Sequence, residues 1–356
     1  METVALVAGL LLLILAYWDL FETVVVPRPT PGWFRISRYI VRGSWRAIRG
    51  LRDGRLSRAN DRALGLFAPA VTVAMLATWL LTLIFGFGLI MWGLRDELRP
   101  VPSDLGTALY FAATSLLTIG YGDIVAVEAP ARIVMITAAV SGLGAVALVV
   151  TFLFSLYGSY QRREVQVVVL QAAAGGPPSA VTLLETYAHL HLVGRLPQLF
   201  VDWEQWAVEV LDSHVAYPLL GYFRSSHDNL SWISALGTVL DAASLVLTTV
   251  EDVPRGEAKL FKRVGTHLVE DIYNIGFRLG EPTSLDRSDF DAACARLAEA
   301  GYSLAAPADA WPAFEAARAS YAARLELMAR YWATPATSWL GDPVALRTPL
   351  HAPDDA

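Results

Sequence analysis

The chain has 356 residues, of which 54% are hydrophobic and 17% are charged, and Cys294 is its single cysteine. Soluble domains carry about 25% charged residues, so this chain is too apolar to be wholly soluble and too charged to lie wholly within a membrane. One cysteine excludes a disulfide framework and a cysteine-based metal site. Residues 1–163 carry 15 basic and 10 acidic groups, whereas residues 164–356 carry 13 and 24. The acidic half predicts no nucleic-acid partner, because nucleic acids bind basic faces.

Three apolar runs are long enough to cross the hydrocarbon core of a bilayer, which takes about 20 residues. They lie at 4–26, 65–94 and 133–160, and only the first contains charged residues, Asp19 and Glu22. The first run could also be a signal peptide, but no basic residue precedes it and it is long for a signal core. We therefore predict three transmembrane helices.

The arginines predict how these helices are oriented. Ten arginines and only two acids lie between residues 28 and 62, and loops this basic stay in the cytoplasm. The N-terminus is then outside, and the domain that follows residue 163 is cytoplasmic. The expected localisation is the cell membrane, as a multi-pass protein. Asp19 and Glu22 share one face of the first helix; they could pair with the arginines, but we favour a place among the lipid headgroups.

An arginine stripe predicts an amphipathic helix just after the first span. Trp33, Ile36, Ile40, Ala47 and Leu51 lie on the opposite side. Such a stripe could be a voltage sensor, but a single preceding span cannot form a four-helix sensor. We favour a helix on the inner membrane surface whose arginines face anionic lipid phosphates, with a basic linker at 55–62. The arginines recur at steps of three or four, within about 80° of arc: Arg35, Arg38, Arg42, Arg46 and Arg49.

The segment between the second and third runs carries the most informative motif, TSLLTIGYGD at residues 114–123. Ser103 as a cap and Asp104 at the positive end of the helix dipole predict a short helix over about 104–116. This helix is too short to span the bilayer and is therefore expected to be re-entrant. The TIGYGD segment, residues 118–123, resembles the selectivity filter of potassium channels. Residues 66–160 resemble the two-transmembrane, pore-loop unit of that superfamily, of bacterial type with an extra N-terminal span.

The resemblance implies a role for each residue of the TIGYGD segment. Potassium leaves water only where oxygen atoms replace its hydration shell. Gly120 and Gly122 would supply backbone dihedral angles that other residues avoid, and Gly122 would complete the filter. The Tyr121 ring would brace the filter, and Asp123 would add negative potential at the outer mouth. Potassium would be coordinated by the oxygens of Thr118, Ile119, Gly120 and Tyr121.

The resemblance also implies an assembly, because one motif per chain requires four copies to close a ring of carbonyls. We therefore expect a homotetramer in which residues 133–160 line the inner pore. Gly142, with Gly144 beside it, aligns with the hinge glycine of the family's inner helix. A gating bend and close helix packing both remain open for these glycines. Thr114 departs from the family, since some members carry there an acid that partners the mouth aspartate.

The second half of the chain is predicted to be all-α. Helices are expected near 179–192, 197–214, 230–250, 257–278, 287–301 and 311–333. The run at 231–250 is either a buried core helix, as we favour, or a fourth span. No GxGxxG motif follows a strand, so the ligand or partner of this domain is unknown.

The predicted fold class is an all-α membrane protein with three transmembrane helices, one re-entrant pore loop and an all-α cytoplasmic domain. The expected function is passive potassium transport, with no enzymatic activity and no cofactor besides the permeant ion. A non-conducting membrane sensor or adaptor and a weakly selective cation channel are the alternatives. The predicted divisions are an N-terminal helix (1–27), a basic helix with its linker (28–63), a pore domain (64–163), a linker (164–178), the cytoplasmic domain (179–333) and a loosely ordered tail (334–356).

Overall fold

The computed structural model describes residues 2–26, 35–52, 57–225, 229–274, 285–335 and 337–341, and gives only the backbone at 50–52 and 57–63. These residues are mostly helical, which confirms the all-α class, and they include one two-stranded antiparallel sheet. Contacts divide the chain into two compact units, Met1–Tyr157 and Gly158–Ala356.

The first unit is built from long apolar helices. Its helices are α1 (Glu2–Val24), α2 (Ile36–Arg52), α3 (Ser57–Gly93), α4 (Leu105–Leu116) and α5 (Ala129–Ala174), the last of which ends in the second unit. By length and composition α1, α3 and α5 can each cross a membrane. Each overlaps one of the three predicted spans, but α3 begins before and α5 continues beyond the predicted run.

Two predicted linkers are helical instead. The basic linker at 55–62 is wrong from Ser57 onward, where α3 begins, because no glycine or proline lies between residues 55 and 64 to interrupt a helix. The linker at 164–178 is wrong up to Ala174, where α5 ends. Val167, Leu170 and Ala174 are buried there, so packing holds this part of α5. Trp33 and Arg55 lie outside the described residues.

Glycines bring α1 and α3 into close contact. A Cβ atom on Gly9 would lie 2.6 Å from the Gly86 carbonyl oxygen, and one on Gly86 would lie 2.6 Å from the Leu13 side chain. Leu13 joins Leu83 and Phe87 in a buried apolar cluster. Small residues allow this approach in membranes, where dispersion contacts rather than water exclusion hold helices together.

The short helix α4 packs against α3 and begins at a carboxylate cap. Asp104 is the cap and accepts a hydrogen bond from the Thr107 backbone N–H at 2.9 Å. Ser103, the predicted cap, instead donates its hydroxyl to Asp104 at 2.9 Å. A carboxylate is the better acceptor at the positive end of a helix. Phe111 and Leu116 are buried and fix the rotation of α4.

The second unit is a helical domain around a central helix, α8. It comprises α6 (Ala180–His189), α7 (Leu196–Ala216), α8 (Trp232–Thr248), α9 (Gly256–Asn274), α10 (Arg287–Glu299), α11 (Pro307–Ala319) and α12 (Ala322–Trp332). All residues of α8 from Trp232 to Val246 are buried, and α6, α7, α9, α11 and α12 pack against it. This is the packing of a core helix, the favoured alternative for residues 231–250.

A buried polar group explains why the predicted helix at 311–333 is two helices. Asp241 of α8 accepts hydrogen bonds from the Tyr321 hydroxyl at 2.6 Å and from Arg318 Nε at 3.1 Å. Tyr321 lies between α11 and α12 and is buried. Turning this ring toward Asp241 interrupts the helix. Burial raises the pKa of Asp241 and raises that of Tyr321 well above its ordinary value.

A second buried polar group surrounds Arg163. Its guanidinium donates to Glu164 at 2.9 Å, to the Leu220 carbonyl at 2.9 Å and to the Phe223 carbonyl at 2.8 Å. Arg163 Nη1 lies 3.1 Å from His214 Nε2. Burial and the charge of Arg163 lower the pKa of His214 well below its ordinary value of 6.5. His214 is therefore neutral and accepts the Arg163 hydrogen bond.

The chain after α12 is partly packed, contrary to the loose tail predicted from residue 334. The Ser179 hydroxyl donates to the Trp339 carbonyl at 2.7 Å, and Trp339 Nε1 donates to the Asp289 carbonyl at 2.9 Å. The indole carries enough apolar surface and one hydrogen-bond donor, which together anchor the segment. Residues 342–356 lie outside the described residues.

Candidate functional site

The TIGYGD segment is tied back to the C-terminal end of α4 by its own peptide N–H groups. The N–H of Thr118 donates to the Ser115 carbonyl at 3.1 Å, and that of Ile119 donates to the Thr114 carbonyl at 2.8 Å. The Gly120 N–H reaches the same Thr114 oxygen at 3.3 Å. In a planar trans peptide the carbonyl points opposite to the N–H. The carbonyls of residues 117–119 are therefore directed away from α4.

The sign of the backbone φ angle alternates along the TIGYGD segment. Thr118, Gly120 and Gly122 have φ angles of 56°, 59° and 79°, whereas Ile119 and Tyr121 are not in this positive region. Where residues of positive φ alternate with residues of negative φ, successive peptide groups can point the same way. The glycines adopt this conformation at little cost. Thr118 is β-branched and strained there, a feature that sequence analysis missed.

The segment is anchored at its far end as well. Ile124 is buried, and the strand β2 (Val125–Ala126) pairs with β1 (Leu98–Arg99). Glu97 accepts the Ala131 backbone N–H at 3.0 Å through its carboxylate. This places a negative charge at the N-terminus of α5, where the helix dipole favours it. A strained loop held at both ends can keep a single conformation.

Asp123 at the end of the segment has a partner that sequence analysis missed. The Tyr110 hydroxyl donates to Asp123 Oδ2 at 2.9 Å. Tyr110 lies one turn before Thr114 on α4, so both face the segment. The resemblance implied an acid at the position of Thr114 as a partner for Asp123. In the structure Tyr110 holds Asp123, and Thr114 uses its carbonyl to hold the backbone. A tyrosine within an otherwise apolar short helix was the available signal.

Apolar side chains around the segment are exposed in a single copy of the chain. Leu117, Ile119 and Tyr121 are 42%, 48% and 69% exposed. On α5, Val140 and Leu143 are 66% and 69% exposed. An apolar surface of this kind marks contact with lipid or with another protein chain.

Gly142 and Gly144, the two glycines of α5, lie in different surroundings. A Cβ atom on Gly142 would overlap the Leu116 carbonyl oxygen at the end of α4, whereas nothing lies within 4 Å of one on Gly144. α5 is a single helix through both positions. Gly142 therefore has a close-packing role, and a hinge at either glycine stays a prediction.

The arginine stripe lies on α2 as predicted, except for Arg35, which directly precedes this helix. The buried face of α2 differs from the predicted apolar face. Among the α2 side chains that the structure describes, Ser37 and Trp45 are buried, and the Trp45 ring lies 4.8 Å from the Phe67 ring of α3. Arg35 donates to Thr23 of α1 at 3.2 Å. The rest of the stripe, namely Arg38, Arg42, Arg46 and Arg49, is partly or fully exposed.

Asp19 and Glu22 do not lie at an exposed membrane boundary, so the headgroup interpretation is wrong. They are only 1% and 6% exposed. Asp19 Oδ2 accepts the Ser37 backbone N–H at 3.1 Å and Trp79 Nε1 at 2.6 Å, and Oδ1 accepts the Ser37 hydroxyl at 2.9 Å. Asp19 thus joins α1, α2 and α3, because donors from the other two helices replace its hydration.

Comparison with known proteins covers the same region. A family model described as "Ion channel" matches residues 77–158. The match begins within α3, includes α4 and the TIGYGD segment, and ends within α5. No curated protein and no solved structure gives a significant match to the chain. Residues 77–158 are therefore similar to the ion channel family, and this match supports the assignment of this part of the chain to the ion channel superfamily.

Proposed function

We propose that this chain is the subunit of a homotetrameric, potassium-selective channel that conducts potassium passively. The observation that supports potassium as the ion is the alternating backbone at Thr118, Gly120 and Gly122. Such a backbone directs successive carbonyl oxygens toward one line, where they can replace the hydration shell of an ion. Thr118, Ile119, Gly120 and Tyr121 are the proposed potassium ligands, with Gly122 completing the filter.

Two features support four subunits. One chain supplies carbonyl oxygens on one side of an ion path only. A symmetric ring of oxygens around the path requires copies of the chain related by rotation. The exposed side chains of Leu117, Ile119 and Tyr121 would be covered by neighbouring copies in such a ring. Asp123 would then contribute to a ring of negative charge at the outer mouth.

The membrane arrangement that we propose places the N-terminus outside and α2 at the inner surface. The arginines of α2 would face anionic lipids of the inner leaflet, whose surface potential attracts basic segments. The second unit would be cytoplasmic and would respond to a ligand or partner not yet identified. Its place directly after the inner helix supports a role in gating.

A flux assay tests the function. The purified chain is reconstituted into liposomes, and potassium uptake is compared with sodium uptake. We expect potassium to permeate far faster, and Gly120→Ala to abolish the difference, because a side chain at a φ of 59° strains the backbone.

The same assay separates the alternatives. Equal sodium and potassium uptake would indicate a weakly selective cation channel, and uptake of neither ion would favour a non-conducting sensor or adaptor. A purified assembly with the mass of a monomer would contradict the tetramer.

A further inference from the structure

Asp19 is a buried carboxylate within an apolar helix, and hydrogen bonds from its surroundings replace the water that it has lost. Burying an isolated carboxylate is costly unless hydrogen bonds replace its hydration. The Ser37 backbone N–H, the Ser37 hydroxyl and Trp79 Nε1 supply these bonds at 3.1, 2.9 and 2.6 Å. Ser37 lies in the first turn of α2, where the helix dipole also favours a negative charge.

Further contacts fix α2 beside Asp19. The Thr23 and Ser37 hydroxyls lie 3.1 Å apart, and Trp45 packs against Phe67 of α3. The face of α2 that includes Ser37 and Trp45 is thus bound to α1 and α3. On the neighbouring face, Arg38, Arg42 and Arg46 are partly or fully exposed.

Positive charge accumulates on that neighbouring face. Arg38, Arg42 and Arg46 follow one another at a spacing of four, so their side chains share a face. The pKa of Arg38 is lowered by burial and by the charges of Arg42 and Arg35. Phosphate groups relieve such repulsion through charge-assisted hydrogen bonds. Since α2 directly follows a membrane-spanning helix, we commit to anionic lipid headgroups as the source of these phosphates.

The α1 helix carries the Asp19 contact onward to α4 and α5. Tyr17, two residues before Asp19, donates its hydroxyl to Ser141 of α5. The next residue, Gly142, packs against the Leu116 carbonyl at the end of α4. Contiguous packed side chains of this kind can transmit a displacement, but coupling has to be measured.

We propose that Asp19 is a positioning residue through which anionic lipid bound at Arg38, Arg42 and Arg46 controls permeation. Lipid holds α2, the carboxylate links α2 to α1 and α3, and α1 contacts α5 beside the end of α4. The proposal rests on the proposed channel function. Without the carboxylate, α2 still binds lipid, but the ion path no longer responds.

The test uses the full-length chain in phosphatidylcholine vesicles with increasing phosphatidylglycerol. A fluorophore on Gly43→Cys, in a Cys294→Ser background, reports the position of α2, since nothing lies within 4 Å of a Cβ on Gly43. Potassium uptake reports permeation. In the parent protein we expect phosphatidylglycerol to change the fluorescence and to raise uptake about fivefold or more, the lower end of typical coupling.

Three variants interrupt the proposed coupling, two of them at the contact between Asp19 and Trp79 and one at the lipid site. Asp19→Asn and Trp79→Phe should keep the fluorescence response and lose the uptake response. Arg46→Gln should weaken both responses. Thr78→Val is the matched control beside Trp79, because the Thr78 hydroxyl bonds only to its own helix, at the Ala74 carbonyl, and it should behave as the parent. Gel filtration checks that each variant keeps its assembly.

Three other results would each contradict one step of the proposal. An uptake response that persists in Asp19→Asn removes the role of Asp19. A parent whose fluorescence ignores phosphatidylglycerol, or that responds equally to inorganic phosphate, removes the lipid site. A parent that responds in fluorescence but transports no potassium in any lipid refutes the proposed function, and with it any control of permeation.

Discussion

At the scale of single residues, the hydrogen bond from Tyr110 to Asp123 is the contact whose loss should be most visible in function. It fixes the carboxylate at the end of the TIGYGD segment at 2.9 Å. We expect Tyr110→Phe to leave potassium selectivity intact and to make currents decline faster during sustained activity, because the loop loses one of its anchors. Single-channel recording in planar bilayers measures this. Tyr110→Trp retains an N–H donor and should decline less; an unchanged time course in Tyr110→Phe would contradict the role.

His214 predicts how stability depends on pH. Its pKa is lowered in the folded protein by burial and by Arg163, so the unfolded chain binds more protons below the ordinary value of 6.5. The free energy of unfolding should therefore fall as the pH drops below 6.5, by up to about 1.4 kcal/mol per pH unit. Thermal unfolding at a series of pH values, with His214→Gln as the comparison, measures this. The substituted chain should lose less stability on acidification, and an equal loss in both proteins would exclude His214 as the cause.

At the scale of helices, Gly142 and Gly144 form a natural pair for comparison. Gly142→Ala places a methyl group into the Leu116 carbonyl, and overpacking of this kind costs about 1–3 kcal/mol. Gly144→Ala meets open space and should be neutral or stabilising by about 0.5–1 kcal/mol, because alanine favours a helix over glycine. Thermal unfolding in detergent checks both values. Normal stability with abolished uptake in Gly144→Ala would indicate a hinge there rather than at Gly142.

At the scale of the whole molecule, the stability of the second unit depends on Asp241 in its central helix. Asp241→Leu leaves the buried Tyr321 and the partly buried Arg318 without their carboxylate partner, a change that costs about 3–5 kcal/mol. We expect a large fall in the unfolding temperature of this unit, measured by circular dichroism. Asp291→Asn is the control, because its pair with Arg287 is exposed and contributes little. Equal effects of the two substitutions would show that the buried network is unimportant.

The sequence by itself determined the features that depend on local pattern. Apolar length set the three long helices α1, α3 and α5. The TIGYGD motif identified the segment in which Gly120 and Gly122 take left-handed dihedral angles that only glycine adopts cheaply. Local signals also placed α4 and most helices of the second unit to within a few residues, but the single helix predicted at 311–333 is the two helices α11 and α12.

Only the tertiary structure decided where the polar side chains go. Asp19 bonds to Trp79, sixty residues away, and Tyr110 rather than an acid holds Asp123. Arg163 is buried against His214. From the sequence alone, it is only a charged residue that follows the third apolar run. A polar group can leave water only where specific donors and acceptors replace it. Those partners come from distant parts of the chain, and helix packing has to bring them together.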